Sequence, residues 1–331
     1  MASKGVLMKT IIISWFLFAT FSLTQNVSDY RPISTYSIVA LDEKTGELGV
    51  AVQSHWFSVG SLVPWVKAGV GAIATQSFVK VDYGPDGLIL MENGMSAEAA
   101  LKILIEKDEA EAVRQVAMID INGNVAAHTG SRCLDFANHV VGKNYSVQAN
   151  MMENSTVPMA MARAFENYTG DLADKMMAAL EAAENEGGDI RGKQSAAMVI
   201  MSGNPTGVNW EDTKMNLRIE DHPNPIKELK RLIRIHRAYQ HANKGDYYLE
   251  LNQIDNAINE YTKASQYYPE NPELPYWLAV ALANKNLISD ALPIFKSVFQ
   301  ENPNLKKMTP RLIKNGLLII DEKVLNKIMM Q

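Results

Sequence analysis

The chain has 331 residues, of which 47% are hydrophobic and 21% charged. This composition is that of a globular protein with ample core material, and it excludes a mostly disordered chain, a collagen and a disulfide-rich miniprotein. The 32 basic and 37 acidic residues give a net charge of -5, which argues against nucleic-acid binding, because phosphates require clustered positive charge. With one cysteine, Cys133, and no Cys/His cluster at zinc spacing, we expect no disulfide, metal or other cofactor.

The first 25 residues are typical of a secretory signal peptide. Lys4 and Lys9 precede an apolar run at 11–23, and this run is shorter than the roughly 20 residues that a membrane-spanning helix needs. A basic start, a short apolar middle and a polar exit predict a signal peptide at 1–25 and a short linker at 26–34. We therefore expect an exported protein, periplasmic or secreted, without a stable membrane span after cleavage. An uncleaved anchor is the alternative.

Paired strands followed by paired helices characterise residues 35–225. Two β-rich runs, 36–41 and 48–52, flank a short glycine-containing turn and predict a hairpin. A second hairpin joins 114–120 to 125–129 through an Asn-Gly turn, the strongest short hairpin signal. Further strands are predicted at 69–75, 145–149, 195–201 and 215–219, and helices at 96–107, 157–168 and 172–186. This order favours antiparallel sheets covered by helices over a doubly wound parallel sheet.

After a proline-rich break at 221–225, residues 226–331 show continuous helical periodicity and an internal repeat. The repeated positions are 34 residues apart: Ala257, Tyr261, Ala264 and Pro269 recur as Ala291, Phe295, Val298 and Pro303. This period is typical of tetratricopeptide (TPR) repeats, in which small residues let neighbouring helices approach. We predict two TPR-like repeats, at about 238–271 and about 272–305, and a C-terminal cap. Because two repeats bury little surface on each other, we expect them to pack on the preceding domain or on a partner.

Ordered motifs run through residues 35–235. They are TYSIVA at 35–40, GVAVQS at 49–54, VPW at 63–65, AGVGAIATQ at 68–76, QAN at 148–150, GGDIRGKQSAA at 187–197 and DHP at 221–223. On these motifs the segment resembles a bacterial and archaeal family catalogued as domain of unknown function 1028, which is placed among the Ntn (N-terminal nucleophile) hydrolases. The resemblance implies an α+β fold, a four-layer αββα sandwich with two facing antiparallel sheets and helices outside, here followed by the all-α TPR-like segment.

The resemblance also implies a candidate catalytic site headed by Thr35. In Ntn hydrolases the first residue of the mature chain supplies the nucleophile, and its own α-amino group acts as the base. Thr35 opens the first strand, where that nucleophile lies. By the same resemblance, Lys67 would lower the proton affinity of the threonine. Asp189 would orient the nucleophile, and Asn150 or the backbone around it would face a developing oxyanion.

Each of these residues also has a purely structural interpretation. Thr35 is a β-branched residue at the start of a strand, where such residues are common. Lys67 is compatible with a surface lysine that lies beside Trp65. Asp189 and Arg191 are close enough in sequence to form an ion pair within one turn.

Two features weaken the catalytic interpretation. Proteasome-type members carry an early aspartate where this chain has Ala-Val-Gln-Ser at 51–54, so that only Gln53 or Ser54 could replace it, and neither carries a charge. In addition, Thr35 has a free amine only if the chain is cut between Ser34 and Thr35, because cleavage near residue 25 leaves an amide nitrogen that is no base.

Two functions therefore remain open from the sequence. The first is an exported hydrolase that cleaves amide bonds with Thr35 and recruits a protein or peptide partner through its repeats. The second is a catalytically inactive Ntn-type sandwich that serves as a scaffold and binds a protein or peptide partner through the repeats. A homo-oligomer is compatible with both.

Overall fold

The structure of the protein, a computed structural model, describes residues 35–331. The predicted signal peptide at 1–25 and linker at 26–34 lie outside the described residues. Within 35–331, none of the helices combines the length and apolar character needed to cross a membrane.

A six-stranded antiparallel sheet forms the centre of the molecule. Its strands are β1 (Thr35–Leu41), β2 (Leu48–Ser54), β7 (Asn138–Gly142), β8 (Tyr145–Asn150), β9 (Ser195–Met201) and β10 (Thr213–Ile219). Their order across the sheet is β10-β9-β2-β1-β8-β7. The predicted hairpin of β1 and β2 is confirmed, and β1 lies between β2 and β8. The register places Thr35 between Ser54 and Asn150.

A four-stranded antiparallel sheet faces the first one. It contains β3 (Pro64–Lys67), β4 (Gly71–Ser77), β5 (Arg114–Asp120) and β6 (Val125–Thr129) in chain order. The predicted Asn-Gly hairpin joins β5 to β6, and Gly123 has a φ of 81° there, a conformation that glycine adopts without strain. Buried aliphatic side chains of both sheets, among them Val39, Val50 and Ile119, form one core between them.

Helices cover the outer face of each sheet. Helices α1 (Tyr83–Glu92) and α2 (Ala97–Glu106) pack on the four-stranded sheet. Helices α3 (Val157–Asn167) and α4 (Leu172–Asn185) pack on the six-stranded sheet. Asp171 caps the N-terminus of α4, because its side chain accepts a hydrogen bond from Asp174 N. The four-layer αββα sandwich is therefore confirmed; α5 (Asn209–Asp212) is a single turn before β10.

Besides the single-turn helix α5, the sequence did not predict β3, α1 and β7. β3 has four residues, begins with proline and lies at a sheet edge, and β7 is a half-exposed edge strand. Helix α1 contains Gly84, Pro85 and Gly87, which are poor helix formers. Packing explains the two glycines. A Cβ on Gly84 would come within 2.3 Å of the Trp65 ring, and one on Gly87 within 2.5 Å of Ile73.

The C-terminal part of the chain, residues 225–331, is the repeat part and consists of helices. They are α6 (Pro225–Glu250), α7 (Ile254–Tyr267), α8 (Glu273–Asn284), α9 (Ile288–Glu301), α10 (Pro303–Lys314) and α11 (Glu322–Met329). The small residue Gly245 contacts the Tyr261 ring, and a Cβ there would come within 2.7 Å of it. This is the close helix approach that the repeat pattern predicted.

One 26-residue helix, α6, belongs to both the sandwich and the repeat part. In its first turns, Leu229 and Ile233 are buried in the core cluster of the six-stranded sheet, α3 and α4. Further along, Ala238 and Ala242 pack with Ala264 of α7. Helix α6 therefore joins the repeats to the core of the sandwich.

Candidate functional site

Thr35 is the first residue of β1, and its side chain faces the space between the two sheets. Its hydroxyl donates a hydrogen bond to Ser54 Oγ at 3.3 Å. Its carbonyl oxygen accepts from Gln76 Nε2 at 3.2 Å and from Asn150 Nδ2 at 3.5 Å. The residue is fully buried. The nucleophile candidate is thus surrounded by hydroxyl and amide groups.

Gln115 lies at the centre of a buried polar network between the sheets. Its Oε1 accepts hydrogen bonds from Gln76 Nε2 at 2.6 Å and from Asn150 Nδ2 at 2.9 Å. Its Nε2 donates to Thr129 Oγ1 at 3.0 Å and to Ala149 O at 2.9 Å. A buried network of this kind is stable only when its members satisfy each other, and here it connects both sheets at the Thr35 end.

Ser37 extends the network along β1. Its hydroxyl donates to Gln76 Oε1 at 2.6 Å and accepts from Gln148 Nε2 at 2.5 Å. The Oε1 atom of Gln148 accepts in turn from Ser146 Oγ at 3.1 Å. These groups are neutral amides and hydroxyls, so the network supplies hydrogen bonds and no charge.

Asp189 lies at the same end of the sheet as Thr35. Its Oδ2 accepts from the backbone N–H of His55 at 3.0 Å, and His55 directly follows Ser54. The carboxylate also accepts from Arg191 N at 2.9 Å and forms an ion pair with Arg191 Nη2 at 3.0 Å. The ion pair between Asp189 and Arg191 is the contact that a purely structural role of Asp189 predicts. Together with the bond to His55, it holds the 189–191 turn against the end of β2.

Lys67 does not lie beside Thr35, and its predicted placement is corrected. It pairs with Gly71 at the turn between β3 and β4, whereas Gln76, which contacts Thr35, is five residues further along β4. At about 3.3 Å per residue this is roughly 16 Å. The ammonium of Lys67 is half-exposed and pairs with Glu92 at 2.6 Å. The lysine therefore cannot lower the proton affinity of the threonine by direct contact.

Gln53 and Ser54, the two residues that could replace the early aspartate of proteasome-type members, face opposite sides of the sheet. Ser54 contacts Thr35, so the preceding residue, Gln53, projects to the other face of the sheet. Gln53 is fully buried, and both atoms of its amide lack a hydrogen-bond partner among residues 35–331. Of these two residues only Ser54 is placed to act on the threonine, and it brings no charge.

Three of the four predicted site residues are thus brought to one end of the sandwich. Thr35 and Asn150 are in contact, Asp189 holds the adjacent loop, and Lys67 is remote. Gln76 Nε2 and Asn150 Nδ2 already donate to the carbonyl oxygen of Thr35 and to Gln115 at this end. A base would have to be the amine of Thr35 itself, which exists only when the chain starts there.

The sequence interpretation missed Ser37, Gln115 and Gln148. All three are polar residues in fully buried strands, and Ser37 lies two residues after Thr35 on the same face. Polar residues two positions apart on one face of a strand, such as Thr35 and Ser37, were the available signal. It could show that residues on one strand face the same way. The pairing of β1 with β8 brings Ser37 to Gln148, and the packing of the second sheet brings Gln115 to them.

His139 is bonded to the edge of the network and makes folding stability depend on pH. Its Nδ1 lies 2.8 Å from Thr129 Oγ1, and burial, with a smaller contribution from the charge of His128, lowers its pKa. The unfolded chain therefore takes up this proton at a higher pH than the folded one, so stability falls as pH drops below about 6.5. We expect the free energy of unfolding of His139→Gln to decline less than that of the wild type between about pH 7.5 and about pH 5. Urea titrations at both pH values measure this, and an unchanged decline would contradict it.

The fold and site define a class: an Ntn-hydrolase-like αββα sandwich with a helical-repeat extension. A family model described as a family of unknown function (DUF1028) matches residues 35–229, more than half of the chain. The chain therefore belongs to the DUF1028 family, as the motifs predicted. A tetratricopeptide-repeat model matches residues 248–308.

A solved structure supports the same assignment. The crystal structure of protein SPO2555 from Silicibacter pomeroyi, also matched to DUF1028, is 32% identical, with a TM-score of 0.55. The match covers 65% of this chain and 88% of that one. No curated protein matches the chain.

Proposed function

We propose that the protein binds a protein or peptide partner through its repeat part, and that the sandwich is the folded body on which the repeats are mounted. The observation that carries this proposal is the continuity of α6. Its first turns are buried in the sandwich core and its later turns form the first repeat with α7. Such a helix supports the repeats so that few of them suffice, and helical repeats are built to present extended binding surfaces.

Exposed aromatic side chains on the repeat part support this function. Tyr239 is 43%, Tyr247 57% and Tyr267 37% exposed. Tyrosine contributes strongly to protein interfaces because it buries a large ring at a small entropic cost. The site at Thr35 offers less to a partner, because it is buried between the sheets and its amides bond to one another.

A capture experiment tests partner binding. The intact wild-type chain and the variants Tyr247→Ala and Thr35→Ala are immobilised and exposed to an extract of the source cells, and retained proteins are quantified by mass spectrometry. We expect a partner that wild type and Thr35→Ala retain equally and Tyr247→Ala retains several-fold less. Equal retention by all three chains, or loss only with Thr35→Ala, would contradict the proposal.

The second candidate function is an exported amide hydrolase, and the position of Thr35 favours it. The residue begins the central strand, and two side-chain amides reach its carbonyl. This function requires export through residues 1–25 and a further cut between Ser34 and Thr35. N-terminal sequencing of the protein recovered from the periplasm or medium tests both steps. A chain that starts at Thr35 and loses amide hydrolysis on Thr35→Ala would support it, and one that starts near residue 26 would exclude it.

A further inference from the structure

The two sheets end in four edge strands, and three of them carry a feature that opposes pairing with another chain. A bare edge strand offers unpaired N–H and C=O groups to any other strand, and proteins block such edges with charged residues, proline or a covering element. β10 carries Lys214 and Arg218 and is crossed by α6, where the Lys214 carbonyl accepts from His236 Nε2 at 2.8 Å. β3 has four residues, with Pro64 at its start and Lys67 at its end. β6 is half-buried along its whole length.

The fourth edge strand, β7, has none of these features. Its sequence, Asn-His-Val-Val-Gly at 138–142, contains neither lysine nor proline. Among the strands of residues 35–331 it pairs with β8 alone, in a continuous register. Val141 is 47% exposed, and β7 is the one edge strand of the two sheets that exposes an apolar side chain. β7 is therefore the edge most open to a further strand.

The hairpin of β7 and β8 fixes which backbone groups of β7 point outward. Gly142 and Tyr145 flank a two-residue turn and form the closing, hydrogen-bonded pair of the hairpin. Bonded and non-bonded pairs alternate along antiparallel strands, so every second residue of β7 bonds to β8. His139 and Val141 are the residues between, and their N–H and C=O groups point away from the sheet. The N–H of His139 agrees with this, because it donates to Asn138 Oδ1 at 2.8 Å and not to β8.

These outward groups match those of a second copy of the chain. When two β7 strands run antiparallel about a two-fold axis at Val140, His139 of each strand lies opposite Val141 of the other. All four outward groups of each strand then have a partner, which gives four hydrogen bonds. A shift of two residues in either direction places one outward residue of each strand beyond the end of the other. The Asn138 side chain, which covers one donor, is exposed and gives way to the second strand.

Apolar side chains beside β7 extend this contact. Leu134 is 44% and Phe136 47% exposed, in the loop that leads into β7. In the two-fold register the turn at 143–144 of the second copy lies opposite 136–137, so Phe136 has a surface to pack against. Four hydrogen bonds and these side chains form an interface at the small end of the range for protein pairs, below about 1,200 Å². An interface of this size predicts a weak dimer with a dissociation constant of the order of 10 µM.

We propose that β7 binds β7 of a second copy and joins the two six-stranded sheets into one continuous antiparallel sheet. A second copy is favoured over a strand of another protein because β7 supplies both halves of the contact. Its outward groups, its exposed valine and its lack of charged residues are all self-complementary under the two-fold axis. The opposite edge of the sheet, β10, is the one that α6 crosses. The dimer therefore leaves both repeat parts open, and the inference does not depend on the proposed partner binding.

Light scattering on the intact chain after gel filtration tests the dimer. We expect about twice the mass of one chain at roughly 100 µM and the mass of one chain at roughly 1 µM. Val141→Lys places a charge at an outward position of β7 and should raise the dissociation constant at least about tenfold. Val208→Lys makes the same change at an exposed valine just before α5, at the opposite edge of the sheet, and should leave the dissociation constant unchanged. Circular dichroism compares the folding of both variants with that of wild type.

A designed disulfide tests the register separately. The two-fold axis places Val140 opposite Val140 of the second copy, as a non-bonded pair with Cα atoms about 4.5 Å apart. This distance lies within the range of about 4.4–6.8 Å that a disulfide spans. In a chain whose one cysteine is replaced, Cys133→Ser, we expect Val140→Cys to give a covalent dimer on oxidation with copper phenanthroline. Val208→Cys in the same background is the control and should remain a single chain on a non-reducing gel.

Other outcomes would overturn the inference. A single-chain mass at roughly 100 µM, or a dimer that Val141→Lys leaves intact, removes β7 as the contact. A dimer that does not cross-link through Val140→Cys rejects the two-fold register. If Val141→Lys does not fold, the cross-link decides alone. A wild-type monomer that captures a protein which Val141→Lys does not capture would assign the edge to a strand of that partner. None of these results changes what the Tyr247→Ala capture experiment shows about the repeat part.

Discussion

Replacement of Leu229 by alanine is expected to lower the free energy of unfolding by about 2–5 kcal/mol. Leu229 is fully buried on α6, in the core cluster that the six-stranded sheet forms with α3 and α4. Because α6 continues without a break into the first repeat, we expect the sandwich and the repeat part to lose stability together. The effect combines the lost burial of the side chain with the cavity that remains.

Urea titration with hydrogen exchange in both parts measures this coupling. Peptides from β1 and from α8 should lose protection at the same, lowered urea concentration in Leu229→Ala. Leu251→Ala removes an exposed leucine just after α6 and is the matched control, with an expected change within about 0.5 kcal/mol. If α8 kept its wild-type protection while β1 lost protection, the two parts would be independent and the role given to α6 would be wrong.

Replacement of Gln115 by leucine is expected to cost about 3 kcal/mol or more of unfolding free energy. The change removes the acceptor of two buried amide donors, those of Gln76 and Asn150. It also removes the donor to Thr129 and to the carbonyl of Ala149. Leucine can replace none of these bonds. Each buried hydrogen bond lost without replacement costs about 1–3 kcal/mol, although Gln76 Nε2 keeps a longer bond to Thr35 O at 3.2 Å.

Thermal and urea unfolding of Gln115→Leu test the network. The control, Gln240→Leu, makes the same change at an exposed position of α6, where the amide donates a long hydrogen bond to Lys214 O at 3.4 Å. We expect that control to lie within about 0.5 kcal/mol of wild type. A loss below about 1 kcal/mol for Gln115→Leu would show that the network contributes little and that water replaces its bonds.

The local elements of the fold could be predicted from the sequence because their signals are local. Alternation of apolar residues and an Asn-Gly turn identify the two hairpins, and the 34-residue period identifies the repeats. Helix α1 could not be predicted in this way. Its glycines are poor helix formers, and the reason for them, the Trp65 ring against Gly84, is a contact between distant segments.

The candidate site was predicted only in part, for the same physical reason. Thr35 and Asn150 were found because motifs mark the ends of their strands, and the sheet pairs those ends. Lys67 was misplaced because its distance of 32 residues from Thr35 along the chain does not fix the strand register. The register pairs Lys67 with Gly71, at the end of β4 remote from Gln76. Gln115 was missed because its partners include Asn150 and the Ala149 carbonyl of the other sheet.

The central proposal is that this DUF1028 protein binds a protein or peptide partner through its repeat part, which α6 joins to the sandwich. The most direct test compares the proteins that immobilised wild type, Tyr247→Ala and Thr35→Ala retain from an extract of the source cells. We expect one partner to be retained equally by wild type and Thr35→Ala and several-fold less by Tyr247→Ala. Equal retention of every protein by all three chains would contradict the proposal.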